Sequence, residues 1–222
     1  ASFPVPGFEV QVLGSDHEPL AAEEEGDVVI QLPLPPGCMS TVWGDHQRYL
    51  DAYMEQHPGY YHTGDGGYFD ADGYLYIMGR TDDVINVAGH RLSTGEMEEI
   101  VAAHPAIAEC AVVGIEDRDK GQLPVGLLIL KDGVQLPAAQ LEAELVAMVR
   151  QTIGAFANFK RAVVVSRLPK TRSGKILRQI IRKIADDKPF DPPATIDDPA
   201  VLVEIREALM TAGIGQMAET QG

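Results

Sequence analysis

Residues 79–95 constrain this chain more than any other stretch. They read Gly79-Arg80-Thr81-Asp82-Asp83-Val84-Ile85-Asn86-Val87-Ala88-Gly89-His90-Arg91-Leu92-Ser93-Thr94-Gly95. Arginines, adjacent carboxylates and glycines separate a strand-like run, Tyr74 to Met78, from a helix-like run that begins at Ser93. Glycine allows the sharp turns that such a stretch needs, and arginine is suited to holding polyanions. Charge is also distributed unevenly about this point. The 222 residues carry a net charge of −15, yet residues 1–79 hold one basic residue, Arg48, against 13 acids, whereas residues 80–222 hold 17 basic and 20 acidic. From Lys160 to Lys188 there are ten basic residues, with Asp186 and Asp187 as the acids. A basic island on an acidic protein points to a local anion site. The global charge repels nucleic acid and membrane surfaces, while a cluster can still grip a few phosphates.

The chain is long enough for one large or two small domains with a real core. Its 45% apolar content fits a soluble globular protein, no apolar run approaches the roughly 18 residues of a membrane helix, and the start lacks a basic-then-apolar signal pattern. The expected location is cytoplasmic or an organelle matrix, with any targeting signal on an upstream part. Cys38 and Cys110 are far apart, and Cys110 sits in an apolar run. Both are expected to be reduced, buried thiols.

Alternating runs at Phe8–Leu13 and 27–32 predict strands, the second stopped by Pro33, Pro35 and Pro36, because proline removes ladder donors. Residues 44–56, with Tyr49, Leu50 and Tyr53 at helical spacing, predict a short helix. The pair 67–69 and 74–77 reads as a hairpin turned by Asp70-Ala71-Asp72-Gly73. Ser93 with Glu96 forms a helix-start pattern, and Met97, Ile100 and Val101 supply its apolar face. Strands at 107–114 and 125–131, a helix at 138–152, a strand at 162–166 and a helix at 176–185 follow, a succession that predicts a compact α+β module. Pro189, Pro192 and Pro193 mark a linker, 201–210 a last amphipathic helix, and the end beyond Gly213 is expected to be disordered.

Two further motifs concern chemistry. Tyr61-His62-Thr63-Gly64-Asp65 contains a Gly-Asp pair that either shapes a turn or presents a carboxylate able to accept two hydroxyl donors at once. Pro169-Lys170-Thr171-Arg172-Ser173-Gly174-Lys175 is a basic, glycine-containing loop. It is not the phosphate loop of nucleotide triphosphatases, because Gly-x4-Gly-Lys is absent and Ile176 stands where a magnesium-binding hydroxyl belongs. Asp82 and Asp83 lack a third ligand nearby, so no metal site is expected there. His62, His90 and His104 have no nucleophile partner at recognisable spacing, which favours core or surface roles.

Asp82-Asp83-Val84-Ile85-Asn86-Val87-Ala88-Gly89-His90-Arg91 resembles the hinge motif of the adenylate-forming enzymes, the superfamily of acyl-CoA synthetases, luciferases and peptide-synthetase adenylation domains. It looks most like the short-chain, AMP-forming acyl-CoA synthetases of the acetate and propionate types. The resemblance runs from about Val5 to about Lys188. These residues do not include the upstream Ser/Thr/Gly-rich phosphate loop of such enzymes, nor the aromatic-Thr-Glu segment that follows it.

The resemblance implies an α+β fold in three parts: residues 1–81, a β-rich end of the large adenylation domain; 82–190, a small α+β C-terminal domain; and 191–222, a linker, last helix and tail. It implies that Asp65 binds both ribose hydroxyls, that Arg80 and Arg91 meet the nucleotide, and that Asp82 is the pivot of a domain rotation. Lys175 is then the catalytic lysine, which screens the acyl carboxylate from the α-phosphate and stabilises charge in the transition state. Gly89 lines the pantetheine tunnel, although a need for positive φ explains the same glycine. Arg150, 25 residues before Lys175, lies near the CoA nucleotide, and Ala88 stands where relatives often carry serine. The implied cosubstrates are ATP with Mg2+, CoA and a small carboxylate.

Three functions are compatible with these residues. The first is a C-terminal portion of a short-chain acyl-CoA synthetase, inactive without its N-terminal portion. The second is a non-catalytic nucleotide- or CoA-binding module, or a substrate for a lysine acyltransferase and deacylase acting on Lys175. The third, nucleic-acid binding through residues 160–188, is opposed by the overall charge and by the scarcity of stacking aromatics, which there are Phe159 and Phe190.

Overall fold

A computed structural model describes residues 2–134 and 136–214. The chain divides into two compact units, Ala1–Asp82 and Asp83–Gly222.

The first unit is an antiparallel sheet of β1 (Val10–Leu13), β2 (Gly26–Gln31), β3 (Tyr60–Phe69) and β4 (Leu75–Arg80), in that order. Neighbours in sequence are neighbours in the sheet, as short connections favour. Alternation places Val12, Val28 and Leu75 on one face, where they pack with Val10, Leu20 and Phe69. Helix α1 (His46–Tyr53) is started by Asp45, whose carboxylate accepts the Arg48 N–H at 3.0 Å. It packs on β3, where Tyr53 stacks on Tyr61 at 5.1 Å. The predicted hairpin is present, but β3 begins at Tyr60, so the Tyr61–Asp65 motif lies on a strand. Trp43, Met39, Ile77 and Met78 are exposed.

The second unit is built on β5 (Val84–Val87), β6 (His90–Ser93), β7 (Ile107–Asp117), β8 (Gly121–Leu130) and β9 (Arg161–Val164). Strand β8 pairs along its length with β7; its other edge meets β5 at Gly121 and runs parallel to β9 from Val125 to Leu128. Both faces of this sheet are buried, which explains its nearly continuous apolar runs. Ala111, Val113, Val125, Leu127 and Val163 face α4 (Arg178–Ala185) and α5 (Val201–Thr211). Cys110, Val112, Leu128, Ile85 and Val87 face α2 (Thr94–Ala102) and α3 (Ala138–Thr152). The architecture is α+β, as expected, with antiparallel pairing throughout except for β9.

Ser93 starts α2, its Oγ accepting the Glu96 N–H at 3.3 Å. Cys110 is a buried free thiol whose pKa is pushed up to about 11, chiefly by burial; Cys38 is only half-buried. Residues 191–222, expected to be a linker, helix and tail, contribute Ile196, Val201, Leu202, Ile205, Leu209 and Ile214 to the core beneath α4. Of the tail expected to be disordered beyond Gly213, Ile214 is buried and the rest lies outside the described residues. Among the described residues no helix is long and apolar enough to cross a membrane.

Candidate functional site

The Asp65 carboxylate is aimed by a bulge. Val29 of β2 faces His62 and the next residue, Val28, faces Asp65, so Thr63 and Gly64 are extra on β3. Thr63 braces the bulge: its Oγ1 donates to the Val28 carbonyl at 2.6 Å and accepts the Asp65 N–H at 3.1 Å. Gly64 adopts φ +76°, and a Cβ there would stand 2.5 Å from the Arg80 guanidinium.

Asp65 lies opposite Arg80 in the β3–β4 ladder. Arg80 donates from Nη1 to the Thr63 carbonyl at 3.1 Å, sits 3.6 Å from Asp65 Oδ1, and donates from Nε to Asp82 Oδ1 at 3.3 Å. Thr81 Oγ1 donates to the Gly64 carbonyl at 3.3 Å. Three residues singled out in the sequence therefore converge on one bulged strand pair. The Arg80 and Asp65 side chains are 47% and 38% exposed, so their ion pair contributes little to stability. Its consequence is positional: a carboxylate with accessible lone pairs beside a guanidinium fork presents acceptors for hydroxyls and donors for an oxyanion on one surface.

In the second unit Ala88 and Gly89 form the two-residue turn between β5 and β6, with φ of 49° and 88°. Two successive positive φ values are those of the turn that best joins twisted antiparallel strands. Positive φ thus requires Gly89, and a Cβ there would meet nothing within 4 Å. The turn is pinned by the Ala88 N–H, which donates to the Lys120 carbonyl at 2.8 Å. Arg91 is exposed on β6 opposite Asn86, and the neighbouring His90 ring packs 4.8 Å from Phe156. Arg150 is exposed in the last turn of α3, where a cation complements the helix dipole.

The lysine loop is a tight turn. Gly174 (φ 85°) donates its N–H to the Thr171 carbonyl at 2.8 Å, and Thr171 and Lys175 exchange two further bonds, one through the Thr171 hydroxyl. Lys170, at the foot of the turn, is tied to Glu109 at 2.6 Å. Lys175 is exposed, and among the described residues no ion pair holds it. The loop separates a lysine that anchors from a lysine that is presented. Much of the basic island is likewise engaged: Arg161 with Glu142, Arg167 with Asp198 and Glu204, Arg178 with Glu98, and Lys188 with Glu116. The local anion site expected across residues 160–188 therefore narrows to exposed cations such as Arg172 and Lys175. Arg91, Arg150 and Lys175 lie on separate elements of the second unit: β6, the end of α3 and the turn ahead of α4.

Two contributors were missed in the sequence. Thr63 sets the Asp65 backbone, and the glycine inside a strand pattern was the available signal of a bulge. Glu98 binds Arg178 through both oxygens at 2.8 and 2.7 Å while accepting the Val112 N–H at 2.8 Å, so it fastens α2 to β7 and to the helix that follows the lysine loop. This pair is 80 residues apart in sequence and has no local signature.

Known proteins resemble this chain over most of its length. Residues 96–175 match the AMP-binding enzyme C-terminal domain. An uncharacterised protein of Pseudomonas aeruginosa is 63% identical across 95% of this chain and 34% of its own length. The mitochondrial acyl-CoA synthetase short-chain family member B of Dictyostelium discoideum is 48% identical across 91% of this chain and 29% of its own. Among solved structures, acetoacetyl-CoA synthetase from Streptomyces lividans superposes with a TM-score of 0.81 at 25% identity, over 95% of this chain and 32% of that one. The chain spans about a third of the length of the curated relatives it matches. Over most of its length the chain is thus a homologue of the short-chain acyl-CoA synthetases, and it carries the C-terminal domain of the AMP-binding enzymes.

Proposed function

We propose that this chain is the C-terminal portion of an AMP-forming short-chain acyl-CoA synthetase. Joined to the rest of the enzyme, it takes part in converting a carboxylate, ATP and CoA to acyl-CoA, AMP and diphosphate, with propionate or acetate as the substrate. The observation that carries this reading is the convergence of Asp65, Arg80 and Asp82 on the bulged β3–β4 pair of a chain homologous to such enzymes. The exposed Trp43, Met39, Ile77 and Met78 further support a first unit that belongs to a larger domain.

In this reading Asp65 accepts both ribose hydroxyls, and Arg80 and Arg91 donate to oxygens of the nucleotide, which enters with Mg2+. The Lys175 ammonium lies between two anions that must touch, the acyl carboxylate and the α-phosphate, and offsets their repulsion as charge builds in the transition state. Asp82 is the pivot about which Lys175 is withdrawn after adenylation. The turn at Ala88 and Gly89 then guides the pantetheine arm, and Arg150 meets the CoA nucleotide. Separating the two poses lets one pocket serve two reactions. The isolated chain is inactive, and the working location is the cytoplasm or an organelle matrix.

Calorimetric titration of the chain with ATP, AMP and CoA, beside an assay of acyl-CoA formation from propionate and acetate, tests the reading. Weak nucleotide or CoA binding that is lost in Arg91→Ala or Arg150→Ala, without turnover, supports it. Turnover by the isolated chain contradicts it. A second role is favoured by the exposure of Lys175 on its tight turn, which suits access by a lysine acyltransferase and deacylase; acylation would remove the charge on which adenylation depends. Mass spectrometry that never finds Lys175 modified, whatever acyl donor is supplied, rejects that role.

A further inference from the structure

A second polar cluster lies in the first unit, apart from the Asp65–Arg80 pair. His57, in the approach to β3, has a side chain only 3% exposed. Its Nε2 is 3.0 Å from Asp27 Oδ2 on β2, and its Nδ1 is 2.9 Å from Nδ1 of His17 in the β1–β2 turn. The ring of His62 on β3 lies 5.7 Å from that of His57. His62 Nδ1 is shut off from solvent and bonds to nothing. One donor atom from each of Asp27, His57 and His62 falls within 4.8 Å of the others. A buried ring nitrogen without a partner is destabilising, and packing alone gives no reason to retain it.

We propose that Asp27, His57 and His62 bind one divalent transition-metal ion, zinc being the best match. Two imidazoles with one carboxylate form a borderline donor set that suits zinc, whereas magnesium and calcium require mostly oxygen. Tetrahedral zinc with its usual bond lengths holds its donors about 3.3 Å apart. Asp27 and His57 already stand at 3.0 Å, and the His62 donor lies within 4.8 Å of both. The fourth position is left to water.

The protons balance. A neutral His57 ring carries one proton: with the ion on Nε2 that proton resides on Nδ1 and is donated to His17 Nδ1, whose own ring proton is then on Nε2. An outer partner of that kind fixes the tautomer and orientation of a ligating histidine. The bound ion would clasp the β1–β2 turn, β2 and β3 together, immediately ahead of the bulge that aims Asp65.

Titration of the metal-free chain with zinc chloride in a calorimeter is the test, with X-ray absorption at the zinc edge as a direct reading of the donors. One ion per chain is expected, with two imidazoles among its nitrogen and oxygen ligands. His62→Phe, which keeps the ring volume and removes a nitrogen that bonds nothing, weakens binding at least tenfold, as does Asp27→Asn. His17→Ala weakens it about tenfold, and His90→Ala in the second unit leaves it unchanged. Circular dichroism shows which variants are folded; if Asp27→Asn is not, the absorption spectrum of the unaltered chain and the His62→Phe titration decide. The site is overturned by the absence of a one-to-one stage, by a donor set of oxygen alone, or by undiminished affinity in folded His62→Phe.

Discussion

At the scale of single residues, position and strain separate roles that the letters leave mixed. Asp65 is half-exposed and contributes little to folding, so Asp65→Asn is expected to leave stability within about 0.5 kcal/mol. It should weaken AMP binding ten- to a hundredfold, because charge-assisted hydrogen bonds are worth roughly 1.5–3 kcal/mol. Calorimetry on the variant checks both halves of that expectation. Ala88 makes the opposite case. Its φ of 49° places a Cβ in the left-handed region, at a cost of about 1–2 kcal/mol, part of which a glycine recovers despite its freer unfolded chain. Ala88→Gly is expected to raise stability by about 0.5–1 kcal/mol, seen as a higher denaturant midpoint at unchanged slope.

At the scale of elements, what was legible depended on the range of the information. Helix α3 was readable to its ends, because Leu141, Leu145 and Val149 repeat at helical spacing and face one core. The β5–β6 hairpin was hidden. Each strand has four residues, and the turn is Ala-Gly rather than Asn-Gly, so charge masked a regular structure. Strand β3 was truncated in the reading because the bulge at Thr63 and Gly64 breaks its alternation. The candidate site was legible where its motifs are contiguous, as at Lys175 and Asp65. It was illegible where contact depends on pairing across the fold, as for Glu98 with Arg178, or for Asp27 with His57 and His62. The Glu98–Arg178 pair also gives a prediction at this scale. Its hydrogen bonds raise the Arg178 pKa, and the side chains are 22% and 16% exposed. Arg178→Ala leaves Glu98 without its counter-charge and is expected to destabilise the second unit by roughly 2–3 kcal/mol, measured by denaturant unfolding. Undiminished stability would mean that α2 and α4 are held by apolar packing alone.

At the scale of the molecule, the surplus of acidic charge has a structural use in the second unit. Arg167 reaches Glu204 of α5 at 2.5 Å and Asp198 just ahead of that helix at 2.5 Å. Hydrogen bonds from Arg167 and then Ser166 hold the Glu204 carboxyl below its ordinary value; the Ala200 N–H, and after it Arg167, do the same for Asp198. A lowered carboxyl pKa contributes stability that is complete above the ordinary carboxylate range and lost as the pH falls through the folded-state value. The second unit should therefore lose stability below about pH 4, and Glu204→Gln should flatten that acid limb, as read from unfolding midpoints across pH. If α5 were docked by its apolar face alone, the limb would be the same in both proteins.

Lys175 is an exposed cation presented on a turn that Lys170 anchors, and the proposed adenylation step depends on it. The most direct test of that proposed role is to separate the two half-reactions in a full-length synthetase that contains these residues. Lys175→Ala is expected to reduce adenylation, followed as carboxylate-dependent diphosphate release, by at least a hundredfold. Thioester formation from a supplied acyl-adenylate and CoA should proceed within a few-fold of the unaltered enzyme. Equal loss in both half-reactions, or in neither, would contradict the assignment of Lys175 to the first step alone.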